Sequence, residues 1–183
     1  LLLSSNQKMA KEIESVFSLL ESGLSDSAKF KKILVSPLTS RKRLIKMIRR
    51  EAQNKQKGNA SFIDIKVNNL SDQEIIDELY AAAENGVQIR LIVRSMFSIV
   101  PDHPDWNGAI EAISIVDKYL EHSRMFVFCN GGDEEIYLGS ADLLTRNIDR
   151  RIEAIFPIYD PGIKEYLREV FEIYWKDNEK ARV

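Results

Sequence analysis

The sequence predicts an α/β fold, a sandwich with a central sheet between helices, and three observations carry that expectation. Short apolar runs such as Ile33-Leu34-Val35 and Ile63 to Val67 alternate with longer stretches whose apolar residues recur at helical spacing. Punctuation falls at the joins, as in Ser36-Pro37 and Gly86. The 183 residues can bury one sizeable core and suit one domain with an appendage better than two full domains.

In chain order, Ile13, Val16, Phe17 and Leu20 predict an amphipathic helix near residues 6–22, stopped by Gly23. Residues 22–29 read as a linker. Ile33-Leu34-Val35 is a short strand closed by Ser36-Pro37. A helix over residues 40–55 places Leu44, Ile45, Ile48 and Ala52 on one face. Its other face carries Arg41, Lys42, Arg43, Lys46, Arg49 and Arg50, which read as a solvated basic face rather than a polyanion-binding surface. Phe62, Ile63, Ile65 and Val67 form a second strand that ends at Asn68-Asn69. Ser71 and Glu74 then make a capping-box pattern, Ile75, Ile76, Leu79, Tyr80 and Ala83 the buried stripe, and Gly86 the stop of the next helix. A third strand over residues 89–93 delivers Arg94 at its carboxyl end, and this strand-helix alternation implies parallel pairing at the sheet centre.

Residues 95–110, with Pro101, His103, Pro104 and Gly108, read as a long loop in which His103 is an exposed residue rather than a catalyst. Ile113-Ser114-Ile115-Val116 adds a short strand. Residues 125–129 and 135–138 flank Asn130-Gly131-Gly132-Asp133 as a hairpin, and residues 151–157 supply one more strand. Asp160-Pro161 starts the last helix, with Asp as N-cap and Pro at the first helical position. Its apolar residues Ile163, Tyr166, Leu167, Val170, Phe171, Tyr174 and Trp175 read as core.

Composition narrows the function classes. With 26 basic and 28 acidic residues the net charge is −2, without the global basic excess of a general nucleic-acid binder, so a polyanion site has to be local. No apolar run approaches the ~20 residues that span a bilayer. Leu1-Leu2-Leu3 is too short for a signal peptide and has no basic flank; with no initiator Met, the chain reads as a cut inside a longer protein. Cys129 is the single cysteine, which excludes an intramolecular disulfide and agrees with a reducing cytoplasm; it reads as a small strand-end residue rather than a nucleophile. Walker loop, zinc-ligand spacing and dinucleotide glycine fingerprint are all missing.

The chemistry concentrates in Glu121-His122-Ser123-Arg124 and Gly139-Ser140-Ala141-Asp142. In an extended segment residues i and i+2 share a face, so His122 and Arg124 point into one cleft. Imidazole can accept a phosphoryl group or move a proton, and guanidinium neutralises phosphoryl oxygens. Gly139-Ser140 allows close backbone approach and adds a hydroxyl donor. Arg94, at a strand's carboxyl end where ligands of open α/β sheets gather, is a candidate clamp.

The wider sequence resembles a known family. Leu34-Val35-Ser36-Pro37, Lys66-Val67-Asn68-Asn69-Leu70, Leu91-Ile92-Val93-Arg94, residues 114–124, Asn130-Gly131-Gly132-Asp133, Tyr137 to Asp142, Thr145 to Glu153 and Lys180-Ala181-Arg182 resemble the C-terminal part of the histidine-phosphorylating (class 1) bacterial polyphosphate kinases, over nearly the whole chain. The resemblance implies a phospholipase-D-like α/β/α sandwich with a mixed, mainly parallel central sheet. Residues 1–29 would be the strand end, helix and linker of a mostly missing preceding domain, and residues 30–183 the second C-terminal phospholipase-D-like domain.

It also implies reversible transfer of the ATP γ-phosphate to inorganic polyphosphate through a phosphohistidine outside this chain, so that the isolated chain is inactive. His122 would be the second histidine, an acid/base or electrostatic partner, with Arg94, His122, Arg124 and Ser140 binding ATP phosphates. Arg146, Arg150 and Arg151 are a candidate polyphosphate path, for which Asp149 and Glu153 offer structural ion pairing instead. ATP and ADP are substrates and Mg²⁺ is implied, with no ligands identifiable here. Expected partners are the remaining domains and, at full length, further copies of the protein, in a cytoplasmic and in part membrane-associated enzyme without nucleic acid or a transmembrane segment.

Phospholipase-D-like enzymes themselves carry His-x-Lys, an Asp four residues later, and Gly-Ser-x-Asn. Here Arg124 replaces Lys, Phe128 or its neighbour Cys129 holds the Asp position, and Asp142 stands for Asn. Those departures count against a phosphodiesterase half-site completed across a dimer. A non-catalytic polyanion-binding module is the other rival.

Overall fold

The computed structural model describes residues 4–22, 30–101, 103–116, 118, 121–177 and 179–182. The expected stop at Gly23 and the rest of the linker to Lys29 lie outside the described residues, as do Leu1-Leu2-Leu3, Asp117, Tyr119 and Leu120. In chain order the elements are α1 (Gln7–Ser22), β1 (Leu34–Ser36), α2 (Ser40–Gln56), β2 (Phe62–Val67), α3 (Gln73–Glu84), β3 (Gln88–Val93), β4 (Ile110–Ile115), β5 (Arg124–Phe128), β6 (Glu135–Gly139), α4 (Thr145–Asp149), β7 (Glu153–Ile158), α5 (Pro161–Trp175) and β8 (Ala181–Arg182).

The strands form one eight-stranded mixed sheet in the order β1-β7-β6-β5-β2-β3-β4-β8. Parallel pairing joins β2 to β3 and β3 to β4, while every other pair of neighbours is antiparallel. The parallel share is therefore smaller than the sequence alternation implied. A crossover helix links β2 to β3, whereas β5, β6 and β7 follow one another through connections that reverse the chain and enforce antiparallel pairing.

Side-chain alternation along β2 sorts the two helical layers. Ile63, Ile65 and Val67 join the larger core with Leu44 and Ile48 of α2 and Ile75 and Leu79 of α3. Phe62 packs on the opposite face with Phe171 and Trp175 of α5. Full burial of each such Ile, Leu or Phe side chain contributes about 1.5–3 kcal/mol, so the two-sided sheet is the main source of stability. On that second face Asp64, 1% exposed, accepts from Arg90 Nη2 and Arg168 Nη1, both at 2.6 Å.

Local signals differ from the expectations at two places. The N-cap of α3 is Asp72, which accepts from Ile75 N–H at 3.2 Å, and not Ser71, whose N–H donates to Leu143 C=O. Asp72 is fully buried and is also held by Arg41 and Thr145, and that extra bonding selects it over its neighbour. The basic face of α2 is ion-paired in part, while Lys42 and Lys46 are exposed as a solvated face expects and Arg43 donates to the C=O groups of Ile33 and Lys32. Arg41 meets Asp72 and Asp149, Arg49 meets Glu78, and Arg50 meets Glu135, because α3 with its N-cap, α4 and the β5–β6 hairpin present carboxylates to this face.

The helix α1 is tied to the domain by Glu12, whose carboxylate accepts from the N–H groups of Lys31, Lys32 and Ile33 at 2.9–3.0 Å. Val16 and Leu19 pack on Phe30, Ile33 and Val35, while Phe17 and Leu20 remain exposed. In the 94–109 connection, Trp106 stacks on Tyr80 at 4.2 Å and its indole donates to Val100 C=O, so this segment is packed on α3. The final helix starts as expected, Asp160 accepting from Ile163 N–H, but of its apolar residues Phe171 alone is fully buried and Tyr166 is exposed.

Candidate active site

The register of the sheet gathers the chemistry-bearing residues on one edge. Lys66 lies opposite Met125, Arg124 opposite Gly139, and Gly139 opposite Ile155. The carboxyl ends of β2, β3 and β6 therefore meet the amino ends of β5 and β7. Asn68-Asn69, Arg94, Gly139-Ser140 and the segment from Glu121 to Arg124 share that rim.

Arg124 is its most heavily bonded member. It is 8% exposed. Its Nε and Nη2 donate to Asp142 Oδ1 and Oδ2, each at 3.1 Å. Nη1 donates to His122 C=O at 2.8 Å and lies 2.8 Å from His122 Nδ1, while Nη2 lies 3.2 Å from Nε2. Of its five N–H groups, Asp142 and His122 C=O take three, and a neutral imidazole can accept a fourth at whichever ring nitrogen carries no proton. Asn68, turned so that its amide is satisfied, directs its oxygen at the same guanidinium at 3.2 Å and its nitrogen at Glu121 C=O at 3.0 Å.

Asp142 is the counterpart. It also accepts from the N–H of Asn68 at 2.9 Å and from Asn69 Nδ2 at 2.9 Å. Burial pushes its carboxyl up, but the bonds from Arg124, Asn69 and Asn68 outweigh that, and the group sits below the usual carboxylate range. The residue that departs from the Gly-Ser-x-Asn pattern thus neutralises the residue that departs from His-x-Lys.

Arg94 contrasts with Arg124. Its backbone continues the β2–β3 ladder, Arg94 N–H donating to Val67 C=O, and no hydrogen bond or ion pair engages its guanidinium among the described residues. His122 is exposed, so the ring that Arg124 orients also faces solvent.

Gly139 has a structural reason distinct from substrate approach. A Cβ here would stand 2.7 Å from Ile155 Cγ1 and 2.8 Å from Ala154 C=O, so β7 can approach β6 only if the position is glycine. Ser140 donates its hydroxyl to Glu153 and accepts from Ala154 N–H at 3.3 Å, so in this arrangement it fastens the strand pair.

Arg146, in the first turn of the neighbouring α4, and Arg150 and Arg151, just after its end, are exposed. The carboxylates that could have paired with them are engaged elsewhere, Asp149 by Arg41 and Glu153 by Ser140 and Asn147. Among the described residues these three arginines have no ion-pair partner. No group of three or more His, Cys, Asp or Glu side chains among the described residues could hold a metal ion.

Sequence reasoning did not single out Lys66, Asn68 or Asn69 for roles here. Their signal was present in the stretch Lys66-Val67-Asn68-Asn69, but a lysine in an apolar strand and a following Asn pair also fit an ordinary strand end.

The chain as a whole is similar to proteins of known kind. Residues 33–183 match the family described as polyphosphate kinase C-terminal domain 2. The chain belongs to this family. Over 181 residues, 99% of the chain, it is 43% identical to a polyphosphate kinase of Klebsiella pneumoniae and 44% identical to one of Salmonella typhimurium, and it spans 26% of the length of each. A crystal structure of polyphosphate kinase from Porphyromonas gingivalis matches with a TM-score of 0.92 at 36% identity, covering 97% of this chain and 27% of that chain. Nuc, a phospholipase D family member from Salmonella typhimurium, matches with a TM-score of 0.59 at 14% identity, covering 82% of this chain and 95% of that one. That last likeness shows the phospholipase-D-like sandwich and nothing finer.

Proposed function

We propose that this domain supplies the nucleotide-phosphate side of a polyphosphate kinase, which moves the γ-phosphate of ATP reversibly onto inorganic polyphosphate through a phosphohistidine outside these residues. The observation that carries the reading is Arg94, unpaired among the described residues, on the same rim as an exposed His122 whose ring is held by Arg124. A cation without a partner is free to take a phosphoryl oxygen, and a preoriented donor or acceptor stabilises charge as it develops during transfer.

The roles divide accordingly. Arg94 neutralises the phosphate oxygens, His122 exchanges a proton or a hydrogen bond with the transferred group, and Arg124, with most of its donors committed, contributes by fixing the imidazole. Ser140 becomes a phosphate donor when its hydroxyl turns from Glu153. Arg146, Arg150 and Arg151, without an ion-pair partner among the described residues, offer charge for the polymer. Mg²⁺ would enter with the nucleotide and polyphosphate, whose charge it shares. The family match begins at residue 33, which supports assigning α1 to the end of a preceding domain. By the same reading the full-length enzyme acts in the cytoplasm, in part at the membrane, as a homo-oligomer.

A phosphodiesterase half-site fits less well. The Arg124–Asp142 pair occupies the positions of the Lys and Asn that the phospholipase D pattern uses, and each satisfies the other. The test is to assay ATP-dependent polyphosphate synthesis by the full-length enzyme, its His122→Ala and Arg94→Ala variants, and the isolated chain. Both substitutions are expected to lower turnover at least ~100-fold, the scale of losing one acid/base or electrostatic group. The isolated chain is expected to be inactive. Polyphosphate made by the isolated chain at a rate that His122→Ala abolishes would overturn the reading.

A further inference from the structure

We propose that Lys66 is a positioning residue for His122, acting through Ser123; this rests on the role given to His122 above. Lys66 is the penultimate residue of β2, on the α5 side, and is 5% exposed. A buried ammonium is costly unless it is paired, and most buried lysines reach a carboxylate. Among the described residues Lys66 has no ion pair. Its Nζ instead donates to Ser123 Oγ at 2.8 Å and to Ser123 C=O at 3.2 Å, and lies 4.8 Å from the centre of the Tyr174 ring. Burial holds this ammonium below the usual lysine range against the attraction of Glu121, and Arg124 adds to the lowering.

Both chain neighbours of His122 are thereby tied to rigid elements. Glu121 accepts from Tyr174 Oη of α5 at 2.6 Å, and Ser123 accepts from Lys66 of β2. The imidazole itself meets Arg124. Three ties to three different elements fix one exposed ring, which is how a group on an irregular segment keeps the placement that catalysis needs.

Lys66 does not act as a phosphate ligand in this arrangement. The cavity it lines with Arg94, Glu121 and Tyr174 has a volume of about 10 Å³, room for about one water and far too small for a phosphate. Its effect must pass through Ser123.

The experiment uses the full-length enzyme with ATP and polyphosphate. Lys66→Met keeps a long stem and removes the donor; kcat is expected to fall about tenfold or more while KM for ATP changes less than about threefold. Ser123→Ala removes one of the two acceptors and is expected to lower kcat about threefold, and adding it to Lys66→Met is expected to lower kcat no further, as for two residues acting on one interaction. An unchanged kcat in Lys66→Met, a multiplicative double variant, or a rise in KM at constant kcat would each overturn the proposal. Should Lys66→Met not fold, Ser123→Ala decides: a fall in kcat with KM held supports the proposal, and full activity overturns it. His122→Ala separates the two readings. If it leaves kcat intact, the role of His122 fails; if it abolishes kcat while Lys66→Met does not lower it, Lys66 alone is misassigned.

Discussion

Arg124 and Asp142 form a buried bidentate pair, with Nε–Oδ1 and Nη2–Oδ2 both at 3.1 Å, across a gap of 18 residues in sequence. The pair joins the start of β5 to the loop after β6. Through Asn68 and Asn69 it also reaches the end of β2. One ion pair therefore fixes the rim that carries His122.

Removing either partner leaves the other charge buried and uncompensated. Asp142→Ala is expected to destabilise the domain by about 3–5 kcal/mol. Arg124→Met, which leaves the carboxylate its amide donors, is expected to cost less and still to abolish the ordering of His122. Urea denaturation of both variants checks the order; equal stability of Asp142→Ala and the parent would show that the pair contributes nothing.

The same carboxyl sets an acid limit. Its proton affinity in the folded state lies below the ordinary value, so the folded form binds fewer protons and stability must fall as pH drops. The contribution is complete above the unfolded value of about 3.9 and is lost as pH falls through the lower folded value. Asp142→Asn should be less stable at neutral pH, with a gap to the parent that narrows below about pH 4. Urea midpoints measured from pH 6 to pH 3 would show the two curves converging; a constant gap would assign the acid sensitivity to other groups.

Much of this was legible in the sequence, and the remainder has physical causes. Period-two alternation placed His122 and Arg124 on one face, and strand-helix alternation located β2, α3 and β3. The partner of Arg124 could not be read, because Asp142 lies beyond the end of β6 and the path of that loop back onto Arg124 leaves no local pattern in the sequence. The helix α4 is five residues long, too short for its periodicity to register. The ion pairs of the α2 face depend on where α3 and the β5–β6 hairpin come to rest, which charge spacing along α2 alone does not reveal.

Gly139 gives a prediction independent of chemistry. A Cβ there would meet Ile155 and Ala154 at 2.7–2.9 Å, distances that require β7 to move. Gly139→Ala is expected to cost about 1–3 kcal/mol, the usual scale of overpacking. It would also shift Ser140 and the loop to Asp142. The check is a thermal melt beside a turnover assay, both expected to fall; an unaltered melt would mean that the strands have slack here.

Arg146, Arg150 and Arg151 test the polymer path. They are exposed and have no ion-pair partner among the described residues, so changing all three to Gln is expected to leave stability unaltered, as for surface charges generally. Binding of a polyanion by such charges releases counterions, so affinity falls with salt at a slope that counts the contacts. If the three line the path, the triple variant of the full-length enzyme should bind long-chain polyphosphate less tightly, with a salt slope shallower by about one unit per arginine engaged. On the proposed division of roles, with Arg94 at the nucleotide phosphates, KM for ATP should stay near that of the parent. A triple variant with the parent's salt slope would return these residues to ordinary solvated charge, and the polymer would have to follow another basic surface.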